Sequence, residues 1–167
     1  MPERTHRYTA HIDWTGNRGR GTADYTAYGR DFVVRDGAKP EILGSTLPVW
    51  RGDGARFSPD DLLVAALSSC HMLWYLHLCA VNGVVVEAYS DDAEGTLELD
   101  ADGGGRFREV VLRPRVRISA GSVDRATALH REAHEKCFIA RSVNFPVRTE
   151  PRTAAVPADT VPTPTAK

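Results

Sequence analysis

Cysteine is scarce in this sequence. It has three in 167 residues, an odd number, which excludes the kind of disulfide framework that holds small secreted proteins together. An excess of charge of one sign is also lacking, because 21 basic and 22 acidic side chains leave a formal net charge of -1. No global field therefore favours a nucleic acid or an anionic membrane surface, and neither is expected as a partner. The N-terminal stretch MPERTHRYTAHIDWTG has no apolar core followed by small residues, so no secretory signal is expected and a cytoplasmic setting is. One long hydrophobic run exists, Leu62 to Val81, but Ser68, Ser69, Cys70, His71 and His77 lie inside it and basic flanking clusters are missing. It reads as a buried core helix that packs on sheet and on a second subunit.

What is present reads as a mixed α+β chain. The length fits one domain over residues 1–150, followed by a Pro-, Thr- and Ala-rich tail over 151–167 with no periodic pattern, expected to be disordered. Alternation from His6 to Asp13, a glycine-rich WTGNRGRGT, and renewed alternation through Tyr25, Phe32, Val33 and Val34 predict a strand hairpin, with a third short strand from Glu41 to Ser45. Ser58 followed by Pro59, Asp60 and Asp61 is a strong helix start, predicting a helix to about Ala80. Two β-rich runs follow, Val84 to Leu99 and Arg106 to Ile118, joined by the turn DADGGG. Arg113, Arg115 and Arg117 alternate along the second run and read as a solvated strand face. A second helix is predicted from Ser122 to about Arg141, and SVNFPVRTE as a last strand.

The thiols carry the chemistry that the sequence offers. Cys70 falls mid-way along the first predicted helix and Cys137 late in the second, beyond the first-turn reach of a helix dipole. Burial alone would raise a thiol pKa and leave it inert, so a reactive Cys70 needs a nearby cation. Cys79 is nine residues beyond Cys70, about 13 Å along the same helix, so those two cannot pair. Cys137 can approach either, and Cys79 reads as a core residue. On the residues alone, a buried structural role for Cys70 and Cys137 stays open.

The segment SPDDLLVAALSSCHM, with AHEKCFIARSV far downstream, resembles the two cysteine motifs of the OsmC/Ohr family of hydroperoxide-detoxifying proteins. The family's run of Asn/Ser-Pro-Glu-Glu-Leu leads to a cysteine ten residues after the first acid, the spacing seen from Asp60 to Cys70. The opening WTGNRGRGT and the order of elements agree too, over residues 8–148. The resemblance implies an OsmC/Ohr-like fold, with antiparallel sheets packed around long buried helices in an intertwined homodimer.

It further implies a thiol peroxidase that needs no metal, haem or flavin. Cys70 would reduce an organic hydroperoxide, Cys137 would resolve the sulfenic acid as a disulfide, and a small dithiol or a lipoyl-type protein would reset the pair. The family's activating arginine matches Arg18, with Arg20, Arg30 and Arg51 as competitors, and Asp60 stands where the family has a glutamate to hold it. Asp60 lies about 15 Å from Cys70 along a straight helix, so Asp60 and Arg18 are expected to serve the partner's Cys70. Phe138 replaces a common proline, and Trp74, Tyr75 and Phe138 are either pocket or core.

Two other readings compete. His130, His134 and Cys137 share a helix face, and with Cys70 or His71 they would form a metal site, although two histidines on an exposed helix are commonly just solvated. A cysteine-dependent acyl hydrolase would pair Cys70 with His134 as base. A non-catalytic dimer with the same fold is the remaining alternative.

Overall fold

The computed structural model describes residues 5–156. Along the chain they divide into two compact units, Met1–Leu63 and Val64–Lys167.

The first unit holds an antiparallel sheet of β1 (His11–Trp14), β2 (Phe32–Arg35) and β3 (Ile42–Gly44), in that order, as the alternation predicts. Its long β1–β2 loop is clamped at the base. Trp14 donates its indole N–H to the Gly29 carbonyl at 2.8 Å, and the Gly29 N–H donates to the Gly16 carbonyl at 2.8 Å. A Cβ on Gly16 would fall 2.0 Å from the Gly29 oxygen, so only glycine lets the two backbones meet. Beyond β3 a 3-10 turn (Pro48–Trp50) leads to the first helix.

That helix, α1 (Pro59–Val81), starts where the sequence says it should, and for a specific reason. The Ser58 hydroxyl accepts from the Asp61 N–H at 3.1 Å while the Asp61 carboxylate accepts the Ser58 N–H at 2.8 Å. This is a reciprocal cap that satisfies two otherwise orphaned donors. The expectation of a helix buried on all sides is only half met. Leu67, His71, Tyr75, Leu78 and Cys79 form one buried stripe, while Leu73 is 63% exposed. By length and apolarity α1 alone among the described helices passes as a bilayer span.

In the second unit each predicted β run is two strands. The chain runs β4 (Val85–Asp91), β5 (Glu94–Leu99), β6 (Gly105–Leu112) and β7 (Pro114–Ala120), with β4 on β7 and β5 on β6. The break has a cause. Pro114 has no N–H to give the ladder, and the Arg113 N–H turns to the Asp91 carboxylate at 2.6 Å. The same carboxylate accepts from the Ser68 hydroxyl at 2.6 Å, tying α1 to the bend. Arg115 and Arg117 are exposed between buried Pro114, Val116 and Ile118, the solvated face that alternation predicts.

The second helix, α2 (Val123–Lys136), is capped by Ser122 and stops before Cys137, short of the predicted Arg141. Strand β8 (Val147–Thr149) then pairs parallel to β6, and β9 (Arg152–Ala155) parallel to β7. The β9 strand corrects the expected tail, whose composition hid four residues that hydrogen-bond to a sheet. Residues 157–167 lie outside the described residues. The core of this unit gathers Tyr75, Leu78 and Cys79 from α1, Val84 from just before β4, Val116 and Ile118 from β7, and Ala126, Leu129 and Ala133 from α2.

Candidate active site

Two thiols meet in the second unit. Cys70 is half-buried on α1, and Cys137 is 1% exposed as the C-cap of α2, with extended backbone (φ -65°, ψ 113°). Cys137 is therefore not on the helical stripe that its spacing suggested. The helix ends because the Cys137 N–H bonds back to His134 O in a tightened last turn, after which the chain starts a new 3-10 turn (Ala140–Ser142). The Cys137 sulfur sits at the head of that turn and accepts the Ala140 N–H at 3.4 Å.

Burial, and then the neighbouring Cys70 thiol, push the Cys137 pKa up to about 11, against weaker lowering by the Ala140 and Ile139 N–H groups. Both thiols are free. Cys79 is buried in the core beside Tyr75, and burial raises its pKa, as expected of a bystander.

An aromatic pair flanks the thiols. Trp74, one turn beyond Cys70, meets Phe138, next to Cys137, edge to face at 5.5 Å. Phe138 is 64% exposed, whereas Tyr75 is wholly interior, so of the three aromatics only Tyr75 is settled as core.

Arg18 and Asp60 belong to the first unit. Arg18 is exposed in the β1–β2 loop with its guanidinium against Gly29. Its competitors differ from it. Arg20 pairs with Asp24 at 3.8 Å, and Arg30 is held between the Tyr25 and Tyr28 rings while donating to both their carbonyls. Arg51 adopts a left-handed backbone after its 3-10 turn. Arg18 and Arg51 carry no ion pair among the described residues. Asp61 is used in the cap, and Asp60 is half-buried beside it.

The histidines correct the expectation of solvated side chains. His71 and His130 are 1% and 2% exposed, and their Nε2 and Nδ1 atoms lie 3.0 Å apart across α1 and α2. Tyr75 stacks on the His130 ring at 3.9 Å between centroids. Burial first, then the His134 charge, lowers His71 to about 4 against a small opposing effect of Asp91. Burial first, then His71, lowers His130 to about 3. Because His130 turns inward to His71, the proposed metal set does not form, and among the described residues no three His, Cys, Asp or Glu side chains converge on a metal position. His134 makes no hydrogen bond to either thiol among the described residues. Sequence reasoning missed this pair, although His130 sits in the same apolar stripe as Ala126, Leu129 and Ala133.

Residues 52–152 match the family of OsmC-like proteins. The chain belongs to the OsmC-like family. An OsmC-like protein of unknown function from Vibrio cholerae is 34% identical, with a TM-score of 0.80, covering 89% of this chain and 100% of its own. An organic hydroperoxide resistance protein from Elizabethkingia anophelis shares the fold at 16% identity and a TM-score of 0.63, covering 90% of this chain and 99% of its own. One from Legionella pneumophila does so at 19% identity and a TM-score of 0.59, covering 91% and 100%. No curated protein matches significantly. The OsmC-like fold accounts for the expected mixture of helix and sheet.

Proposed function

We propose that this OsmC-like protein is a two-cysteine peroxidase that reduces organic hydroperoxides to alcohols. The observation that carries the reading is the approach of Cys70 to Cys137, which are 67 residues apart in sequence yet close enough that the Cys70 thiol helps to raise the Cys137 pKa.

The chemistry balances on these atoms. The Cys70 thiolate attacks the distal peroxide oxygen, the O–O bond breaks, and the leaving alkoxide takes a proton to become the alcohol. Cys70 is left as a sulfenic acid, oxidised by two electrons. The Cys137 sulfur then displaces hydroxide from it, giving a Cys70–Cys137 disulfide and water. A dithiol, small or lipoyl-type, reduces the disulfide by exchange, and a reducing cytoplasm would keep the resting thiols free.

The roles divide by environment. Cys137, pushed up to about 11, stays protonated at neutral pH and suits the resolving role, which needs proximity more than standing ionisation. Cys70 is the more accessible sulfur, and Trp74 with Phe138 offers an apolar lip for the organic group. Its activating cation is Arg18, steadied by Asp60, supplied from a second copy of the chain in a homodimer. The exposed apolar residues of α1, Leu73 and Val81, and those of the first sheet, Ile12, Trp14 and Leu43, are what that second copy would cover.

The test is to add an alkyl hydroperoxide to reduced protein and follow the thiols by mass spectrometry. One equivalent should yield one alcohol and a Cys70–Cys137 disulfide. Cys70→Ser should abolish the reaction, and Cys137→Ser should leave Cys70 to over-oxidise. An unreactive wild-type protein would remove the reading.

A further inference from the structure

The sheet of β4, β7 and β9 has two faces. One packs on α1 and α2 through Val116 and Ile118, with Val86 and Tyr89 beside them. The other carries Arg115 and Arg117 from β7 and Arg152 from β9, all three exposed. The register brings them into one block. Arg115 stands directly beside Arg152 on the parallel strand, and Arg117 lies between Ala88 and Ala154. By strand geometry the Cα of Arg117 is about 7 Å from that of Arg115 along β7, and the Cα of Arg152 is about 5 Å across from it. With the three arginines, the small side chains of Ala88, Ser90 and Ala154 line a shallow hollow of about 510 Å³.

The charges on this face are not balanced from within. Elsewhere on the strands of the second unit, Arg108 meets Glu98, Arg113 meets Glu94 and Glu150, and Arg148 meets Glu109. Here Asp92 meets Arg115, but Arg117 and Arg152 have no ion pair among the described residues. Glu87, the other acid on this side, accepts the Ser119 hydroxyl at 2.6 Å. Guanidiniums side by side on neighbouring strands repel, and Arg115 and Arg152 are such a pair. Asp92 and Glu87 leave one cation in excess and two arginine forks free, which an acid from outside would satisfy. The fork of a guanidinium fits a planar carboxylate. An extended chain sets same-side side chains two residues apart, about 7 Å, the interval from Arg115 to Arg117. A continuous phosphate backbone would instead be repelled by Glu87 and Asp92 at the margins. We propose that this face docks an extended acidic segment of a partner protein, with Asp or Glu at alternate positions, one carboxylate on Arg152 beside Arg115 and the next on Arg117.

The experiment titrates the full-length protein into a fluorescein-labelled octapeptide of alternating Glu and Thr at low salt and follows fluorescence anisotropy. Binding should saturate and weaken as salt is added. A peptide of the same charge with Glu at every third position, which switches sides in an extended chain, should bind more weakly, and so should an oligothymidylate of equal charge. Arg117→Gln and Arg152→Gln should each weaken the alternating peptide about three-fold and the double variant about ten-fold, the scale of exposed ion pairs. Arg148→Gln, whose guanidinium is already paired with Glu109, should leave binding unchanged. Because Arg152→Gln relieves the repulsion with Arg115, it should melt at or above the parent temperature. The proposal is overturned if the alternating peptide does not saturate, if the wider spacing or the oligonucleotide binds as tightly, if the double variant binds unchanged, or if Arg152→Gln melts below the parent. No hydroperoxide is used, and the face lies across the sheet from the helices that bear the thiols, so the outcome is independent of the peroxidase reading.

Discussion

His71 and His130 share one hydrogen across 3.0 Å between two helices, their rings 7° from parallel and both almost wholly removed from water. A buried neutral pair of this kind sets an acid limit on the fold. Both pKa values are depressed, to about 4 and about 3, from 6.5. Below 6.5 the unfolded chain takes up protons that the folded one refuses, so stability is complete above 6.5 and falls as pH drops towards 4. His134 and Asp91 also act on His71, in opposite senses. The loss should be at most about 1.4 kcal/mol per pH unit for each histidine. Urea unfolding at about pH 7.5 and about pH 5.5 should show a lower midpoint in acid, and His130→Gln should flatten that dependence. An equal midpoint at both values would contradict the neutral pair.

Cys79 provides the control thiol. It packs in the core at 1% exposure beside Tyr75, with its pKa raised by burial. Cys79→Ala should cost about 1 kcal/mol through the small void it leaves and should not change the rate of hydroperoxide consumption. A stopped-flow peroxide assay beside a thermal melt checks both. Loss of activity in a stable Cys79→Ala protein would reassign the thiols.

Phe138 tests the apolar lip. Its ring is 64% exposed and meets Trp74 edge to face, so Phe138→Ala should change stability by less than about 1 kcal/mol. The apparent KM for a bulky aryl hydroperoxide should rise several-fold, while hydrogen peroxide, which has no organic group to seat, should be unaffected. Equal effects on both substrates would place Phe138 outside the substrate path.

Much of this fold was written in local signals. Ser58-Pro59-Asp60-Asp61 combines a cap, a first-turn proline and two acids into a strong helix start, and Pro114, Val116 and Ile118 alternating with Arg115 and Arg117 read as a half-buried strand. What stayed hidden depended on contacts distant in sequence. The bend that divides each β run needs Asp91 to capture the Arg113 N–H, and no window of residues shows that the two meet. Strand β9 has the composition of a tail and is ordered by β7, which lies more than thirty residues earlier. At the site, the spacing of Asp60 and Cys70 pointed to the family, but Cys137 was misplaced on a helix face because its stop is set by a tightened turn rather than by a glycine or proline.

Asp60 and Asp61 separate a functional carboxylate from a structural one. Asp61 closes the reciprocal cap with the Ser58 N–H and hydroxyl, so Asp61→Ala should cost about 1 kcal/mol of stability. Asp60 has no part in that cap, and Asp60→Asn keeps its size while removing the charge proposed to steady Arg18. Its melting temperature should stay within about 2 °C of the parent, because an isolated half-exposed charge contributes little to stability. Hydroperoxide kcat/KM should fall at least about ten-fold, and Arg18→Gln should cause a similar loss with no further loss in the double variant, as expected of residues that act through each other. Comparing the four proteins by melting and by initial rates decides the matter. If the Asp60→Asn and Arg18→Gln losses multiply, the two side chains act separately; if neither variant loses activity, the cation that activates Cys70 lies elsewhere in the chain.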